Sequence, residues 1–268
     1  MLFARLAQIA PEKADHEELG QIHPVAKLEN LIVLFGETAD ESIIPTFAET
    51  LSFVLTESEA LPESERAFVS SRLLWFQTML DQMRGDVESM QGRELIPLRD
   101  DAVDLQVFFS LWGLANNLTA LKVAGNNERA RVIAQQMLDT FDKYFGQRED
   151  IPAYFRFPLS VAYVQLNDEE GINGIRASLI DQPDEFLFSQ IAGPFYALSV
   201  VDTDAAIERL LSRKAYHPSW YGTDWIATAQ ISNRHMLVHP RMQEFYVKEG
   251  KWLDYLAVRV PEYAEYKK

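Results

Sequence analysis

The chain has 268 residues, of which 47% are apolar, and it carries 40 acidic and 25 basic side chains and no cysteine. The net charge of −15 argues against nucleic acid or an anionic membrane surface as a partner, because both attract proteins through Lys and Arg. The lack of cysteine excludes disulfides, thiolate metal ligands and a cysteine nucleophile. Solubility explains the acidity, and an acidic face for a basic partner is the alternative.

No targeting or membrane segment is visible. The start, MLFARLAQIA, has too short an apolar stretch for a signal peptide, and acidic residues follow it. No apolar run reaches the roughly 18 residues that a membrane helix needs. We therefore expect a cytoplasmic protein.

Helical periodicity begins near the N-terminus. The segment AKLENLIVLFGE predicts a helix, because its apolar residues fall on one face and a glycine closes it. These residues are Leu28, Leu31, Ile32, Phe35 and Gly36. The segment DESIIPTFAETLSFVLTE predicts a second helix, although Pro45 lies in its first turns.

The segment LPESERAFVSSRLLWFQTMLDQMRG predicts the third helix. Pro62 stands at a first helical position and Gly85 follows the last turn. Its apolar stripe consists of Phe68, Leu73, Phe76, Leu80 and Met83. A stripe of this kind is core by default, and the face of a homodimer is the alternative.

Residues 86–100 lack clear periodicity and contain Gly92 and Pro97. We place a boundary there, between a helical N-terminal segment (1–95) and a second region (96–268).

Helix pairs follow this boundary. They are predicted at about 101–123 with 127–145, 151–166 with 168–180, and 184–199 with 203–213. The stretch 214–238 is aromatic and irregular. A final amphipathic stretch, HPRMQEFYVKEGKWLDYLAV, closes the chain.

Two of these pairs share a pattern at an interval of 33 residues. Ser160, Tyr163 and Ile172 are followed by Gly193, Tyr196 and Ala205. A small residue in a first helix lets the second helix approach, an aromatic residue one turn later fills the space, and a small or apolar residue in the second helix receives the first. The pattern resembles tetratricopeptide repeats, whose period is about 34 residues.

The resemblance implies an all-α fold in which helical hairpins stack into a divergent, right-handed superhelix. A third and less regular unit lies upstream, with Gly125 at its turn and Ala130 and Ala134 in its second helix. Pro158 and Pro194 are expected to kink the first helices of the other two units.

The C-terminal stretch carries a second resemblance. It is similar to the end of repeat modules attached to bacterial transcription regulators and nucleotide cyclases. The matching residues are His239, Pro240, Arg241, Phe245, Gly250, Trp252 and Tyr255. The two resemblances cover roughly residues 105–260. They imply a non-enzymatic bacterial scaffold, adaptor or regulatory module that binds a protein or peptide partner and needs no cofactor.

Aromatic side chains are concentrated in two segments, AYFRFP and YHPSWYGTDW, the second with Asp224 among them. Such residues are usually core, but the second segment is irregular and suits the mouth of a pocket. The candidate ligand-binding residues are Arg156, Tyr216, His217, Trp220, Tyr221, Trp225 and Arg234. They define the alternative function, a sensor or effector domain for a small molecule.

The segment HMLVH places His235 and His239 four residues apart, a spacing at which two imidazoles on one helix share a metal. With His217 as a third ligand, a metal-assisted hydrolase is the remaining alternative. Pro240 disfavours helical geometry at His239, and no Glu stands between the two histidines as a base. We therefore expect no metal site, and we expect His239 to cap or precede the next helix.

Overall fold

The computed structural model describes residues 24–61, 63–92, 98, 104–146, 151–188, 193–212 and 223–266. Throughout these ranges the regular structure is helical and no strand occurs, which confirms the predicted all-α class. Among the described helices, none has both the length and the apolar character needed to cross a membrane.

Three long helices form the N-terminal part, and all three confirm the sequence predictions. With a short fourth helix, their bounds are Pro24–Thr38 (α1), Ile43–Glu59 (α2), Glu63–Arg84 (α3) and Val87–Gly92 (α4). α1 runs past Gly36 and ends at Thr38, and the next residue, Ala39, has a φ of 55° in the left-handed region. α1 packs against α2, and α2 packs against α3.

The apolar stripe of α3 belongs to the core of the single chain. Its buried members are Leu73, Phe76, Leu80 and Met83. The ring of Phe76 lies 6.3 Å from that of Phe47 in α2. Pro62 and the side chain of Phe68 lie outside the described residues, and the homodimer stays a prediction.

The helix pairs follow in the predicted order. Their bounds are Asp104–Val123 (α5), Asn127–Phe145 (α6), Arg156–Leu166 (α7), Glu169–Leu179 (α8), Asp184–Leu187 (α9), Pro194–Val201 (α10) and Thr203–Ser212 (α11), with a 3-10 helix at Ala153–Phe155. The turn between α5 and α6 contains Gly125 at a φ of 76°. Asn126 then caps α6 by accepting a hydrogen bond from the N–H of Arg129.

These helices pack in a regular order along the chain. α5 pairs with α6, and α7 packs against both of them. α7 pairs with α8, and α10 packs against both. The first helix of each of the two later pairs therefore contacts both helices of the pair before it.

The single helix predicted over 184–199 is wrong, because the structure divides it into α9 and α10. Gly193 precedes Pro194, which is the first residue of α10. Proline favours that position because it has no N–H to satisfy and its φ is already helical. Pro158 likewise lies in the first turn of α7. Neither proline is therefore in the interior of a helix, where it would cause the predicted kink.

The two tyrosines of the 33-residue pattern have different surroundings. Tyr163 lies against Gly171 of α8, so closely that a Cβ atom at Gly171 would be 2.5 Å from the tyrosine ring. Tyr196 is buried and contacts the ring of Phe157, at 6.1 Å between centroids. The residue 33 positions after Gly171 is Asp204, which is exposed. The stacked pairs are therefore not equivalent at these seams, and the repeat itself stays a prediction.

We expect Gly171→Ala to destabilise the protein by about 1–3 kcal/mol, because the added methyl group forces the Tyr163 ring away from α8. Gly174 is a matched control in the same helix, since a Cβ atom there meets nothing within 4 Å. Gly174→Ala is expected to leave stability unchanged or raise it by up to about 1 kcal/mol. Urea unfolding of both variants gives the comparison. Equal effects would show that α7 and α8 do not depend on this contact.

The C-terminal part contains four α-helices within the described residues. Their bounds are Thr223–Thr228 (α12), Arg234–Leu237 (α13), Pro240–Glu249 (α14) and Leu253–Arg259 (α15), followed by a 3-10 helix at Pro261–Tyr266. The prediction of an irregular stretch over 214–238 is wrong for its described part, because residues 223–238 form two helices and a buried turn. The polar residues of this stretch are typical of a surface loop, although several of them are buried. Those that are buried are Thr223, Thr228, Gln230, Ser232 and Asn233.

The side chain of Gln82 explains why that turn is buried. Its Oε1 accepts hydrogen bonds from the backbone N–H groups of Ile231, at 2.8 Å, and Ser232, at 3.3 Å. Its amide nitrogen donates to Ser232 Oγ, which in turn donates to Asn116 Oδ1 of α5. Only 1% of Gln82 is exposed. One side chain of α3 thus joins α5 to the turn after α12.

The backbone of Gln82 extends this network. Its carbonyl accepts from Gln230 Nε2 and from the hydroxyl of Tyr255 in α15, each at 3.2 Å. The Tyr255 hydroxyl also lies 3.1 Å from the Met83 carbonyl. Burial raises the pKa of Tyr255, so its hydroxyl remains a hydrogen-bond donor.

One connected group of buried residues runs from Leu28 to Tyr263. It includes members of both predicted segments, 1–95 and 96–268. At the edge of this core, Arg259 of α15 also binds Glu41 beside α2, at 2.6 Å. The division into two segments stays a prediction, but the two parts share a core.

We expect Gln82→Met to lower the free energy of unfolding by about 2–4 kcal/mol. The substitution keeps the volume but leaves the N–H groups of Ile231 and Ser232 buried without acceptors. Gln136→Met on the exposed face of α6 is the control and is expected to change stability by no more than about 0.5 kcal/mol. Urea unfolding measures both, and similar values for the two variants would contradict the role assigned to Gln82.

Candidate functional site

A cleft of about 230 Å³ opens between the start of α12, the end of α14 and the turn before α15. The local sequence explains how it forms. His239 and Pro240 start α14, and Gly250, at a φ of 77°, ends it and reverses the chain. The residues after Gly250 thereby return to α12. The cleft is lined by Thr223, Asp224, Phe245, Tyr246, Glu249, Lys251 and Trp252.

The carboxylate of Asp224 organises the polar side of the cleft. Its Oδ1 accepts hydrogen bonds from Trp252 Nε1, at 2.6 Å, and from Lys251 Nζ, at 2.8 Å. Lys251 Nζ also donates to the carbonyl of Gly36 in α1, at 3.1 Å. The cleft is therefore tied to the N-terminal helices.

Aromatic rings form the apolar side. Tyr246 and Trp252 are almost fully buried, and Phe245 is half-buried. The Tyr246 hydroxyl donates to the carbonyl of Thr223 at 2.5 Å. The rings of Phe245 and Tyr246 lie 5.4 Å apart at an interplanar angle of 81°. The ring most open to an incoming group is thus that of Phe245.

Four of the predicted ligand-binding residues, Tyr216, His217, Trp220 and Tyr221, lie outside the described residues. Trp225 is half-buried in α12 and packs against the core. It follows Asp224 directly but does not line the cleft.

The two predicted arginines have separate surroundings. Arg234 binds Glu262 at 2.6 Å and the Arg259 carbonyl at 3.3 Å. Arg156 lies in α7 with its guanidinium 5.9 Å from the ring of Phe186. Neither lines the cleft, and a single site built from the seven predicted residues stays a prediction.

Sequence reasoning missed the cleft as a site, although it noted several of its members. Phe245 and Trp252 are among the residues of the C-terminal resemblance, and Asp224 lies in the aromatic segment YHPSWYGTDW. A glycine in the left-handed conformation ends a helix and reverses the chain, so Gly250 is a local signal that the residues on its two sides return toward each other. Nothing local links them to Asp224, which lies 28 positions before Trp252.

The two histidines of HMLVH contact residues of different helices. His239 Nδ1 accepts from the N–H of Arg241, which confirms that His239 caps α14, and its Nε2 lies 2.8 Å from Asp204 Oδ1. His235 Nε2 lies 3.1 Å from Ser199 Oγ of α10. Within the described part of the chain, no three His, Cys, Asp or Glu side chains come together as metal ligands. His217 lies outside that part.

Comparison with known proteins gives no family. The sequence matches no family model, and neither the curated proteins nor the solved structures include a significant match. The resemblances to tetratricopeptide repeats and to regulator-linked modules therefore stay predictions.

His235 gives stability a dependence on pH. Burial lowers the pKa of His235 to about 4, and the positive charge of Lys122 acts in the same direction. The unfolded chain takes up this proton as the pH falls through about 6.5. The folded protein takes it up only near pH 4, so between these values protonation stabilises the unfolded state relative to the folded state.

We therefore expect this contribution to cost about 3 kcal/mol of stability as the pH falls from 6.5 to 4, and to be absent above pH 7. His235→Gln removes the group that titrates. The difference in unfolding free energy between variant and wild type, measured in urea at pH 7.5 and at pH 4.5, should shift in favour of the variant at the lower pH. A constant difference would show that His235 is accessible and titrates normally.

Proposed function

We propose that the protein binds a protein or peptide partner and that the cleft receives one side chain of that partner. The volume and the lining of the cleft are the main support for this proposal. Its volume of about 230 Å³ is below the roughly 300–1,000 Å³ typical of sites for drug-sized ligands, and it matches a single large side chain better. Rings beside a few polar groups are the usual lining of pockets that anchor a partner residue.

The packing of the helix pairs supports a platform for such a partner. In α5–α11 the first helix of each later pair contacts both helices of the preceding one. Nearest-neighbour stacking of this kind is the organisation of solenoid proteins. We therefore propose that these pairs form a divergent, right-handed superhelix like that of tetratricopeptide repeats, and that the protein acts as a non-enzymatic scaffold, adaptor or regulatory module.

A small-molecule effector is the second candidate. The rings of Phe245, Tyr246 and Trp252 favour it, because aromatic walls with a nearby carboxylate also suit a small organic cation. The volume of the cleft restricts such an effector to a few heavy atoms. Thermal-shift measurements with small metabolites separate this function from peptide binding.

Peptide selection on the purified full-length protein tests the proposal. We expect selected peptides to bind in a fluorescence anisotropy assay, and we expect Phe245→Ala to weaken binding by roughly tenfold or more, since anchor residues contribute about 1–3 kcal/mol. Phe53→Ala is the control, because Phe53 is 54% exposed on α2 and does not line the cleft. Thermal unfolding confirms that both variants are folded.

Two results would contradict the proposal. One is a failure to select any peptide that binds the full-length protein. The other is a set of peptides that bind the Phe245→Ala protein as tightly as the wild type, which would place their site elsewhere.

A further inference from the structure

The Asp224 carboxylate has spare hydrogen-bonding capacity inside the cleft. Both of its side-chain bonds, from Trp252 and Lys251, go to Oδ1. Within the described residues, Oδ2 has no partner, and the side chain is 29% exposed. A partly buried carboxylate oxygen binds most strongly to a charged N–H donor.

The charge of the lining favours a cation. Asp224 and Glu249 supply two carboxylates, and Lys251 supplies one ammonium group, which leaves one negative charge uncompensated. Glu249 is exposed at the end of α14 and forms no ion pair within the described part of the chain. The net charge of −15 adds a long-range attraction for basic molecules.

The apolar wall suits the stem of a basic side chain. The half-buried ring of Phe245 can pack against a run of methylene groups while the charged end reaches the carboxylates. A purely apolar side chain would bury Asp224 Oδ2 without a donor, which costs free energy. An acidic side chain would meet the uncompensated negative charge.

We propose that the side chain held in the cleft is cationic and comes from an arginine or lysine in a basic segment of the partner. The proposal depends on the proposed function and specifies its partner. The charged end binds Asp224 Oδ2 and lies near Glu249, and the stem lies on Phe245.

Nuclear magnetic resonance tests this directly, because the indole N–H of Trp252 donates to the Asp224 carboxylate and reports any new partner of that group. Trp252→Phe assigns its resonance. The probes are Nα-acetyl-arginine amide and Nα-acetyl-lysine amide, and Nα-acetyl-norleucine amide is the uncharged control. We expect a saturable shift with at least one cationic probe, weakened by salt, and none with norleucine at the same concentration.

Two variants on α14 locate the effect. Glu249→Gln is expected to weaken binding of the cationic probe by about two- to fivefold, the range for an exposed ion pair. Glu244→Gln removes an exposed carboxylate from the same helix that does not line the cleft, and it should leave binding unchanged. Equal effects of the two substitutions would overturn the proposed cation site.

The remaining outcomes separate the two proposals. An equal shift with norleucine would overturn the cationic occupant and leave the cleft as a side-chain site. No shift with any probe, together with selected peptides that need Phe245, would overturn the cationic occupant alone. If no probe gives a shift and, in addition, no peptide can be selected that binds the full-length protein, the proposed function is contradicted as well.

Discussion

The amide of Gln82 is the contact on which the arrangement of this fold depends. It occupies the point where α3, α5 and the turn after α12 meet, and it satisfies two backbone N–H groups of that turn. Ile231 packs against Met90 and Ala120, but Gln230, Ser232 and Asn233 of the same turn are polar and buried, so apolar packing alone does not account for its place in the interior. Because a desolvated N–H without an acceptor costs about 1–3 kcal/mol, the turn is stable there only while Gln82 faces it. Asn116 and Tyr255 extend the same network to α5 and α15.

The position of the cleft follows from this anchoring. The turn fixes where α13 and α14 begin, and Gly250 then returns Lys251 and Trp252 to Asp224. The N-terminal helices close the arrangement, because Lys251 bonds the Gly36 carbonyl and the rings of Phe35 and Trp252 lie 5.7 Å apart. The family resemblances begin near residue 105, but the cleft rests on helices that precede them. A fragment that lacks those helices would lose the contacts that Lys251 and Trp252 make with α1.

The sequence predicts those parts of the fold whose signals are local. α3 and α6 have clear apolar faces, α5 is apolar and buried on almost all sides, and a glycine follows each of the three; their predicted bounds are within a few residues of the structure. The sequence predicts an irregular segment at residues 223–238 because Gln230, Ser232 and Asn233 are residue types common in loops. Their burial depends on Gln82, about 150 positions earlier, and no local pattern contains that information. The cleft was missed for the same reason, since Asp224 and Trp252 meet only through the fold.

Hydrogen exchange of the backbone amides of Ile231 and Ser232 tests the central contact most directly. If Gln82 holds them in the core, both amides exchange only through global unfolding, and their protection matches that of the most stable helices. Exchange at the rate of exposed turn amides would show that this stretch lies at the surface, and the anchoring of the C-terminal helices by Gln82 would then be wrong.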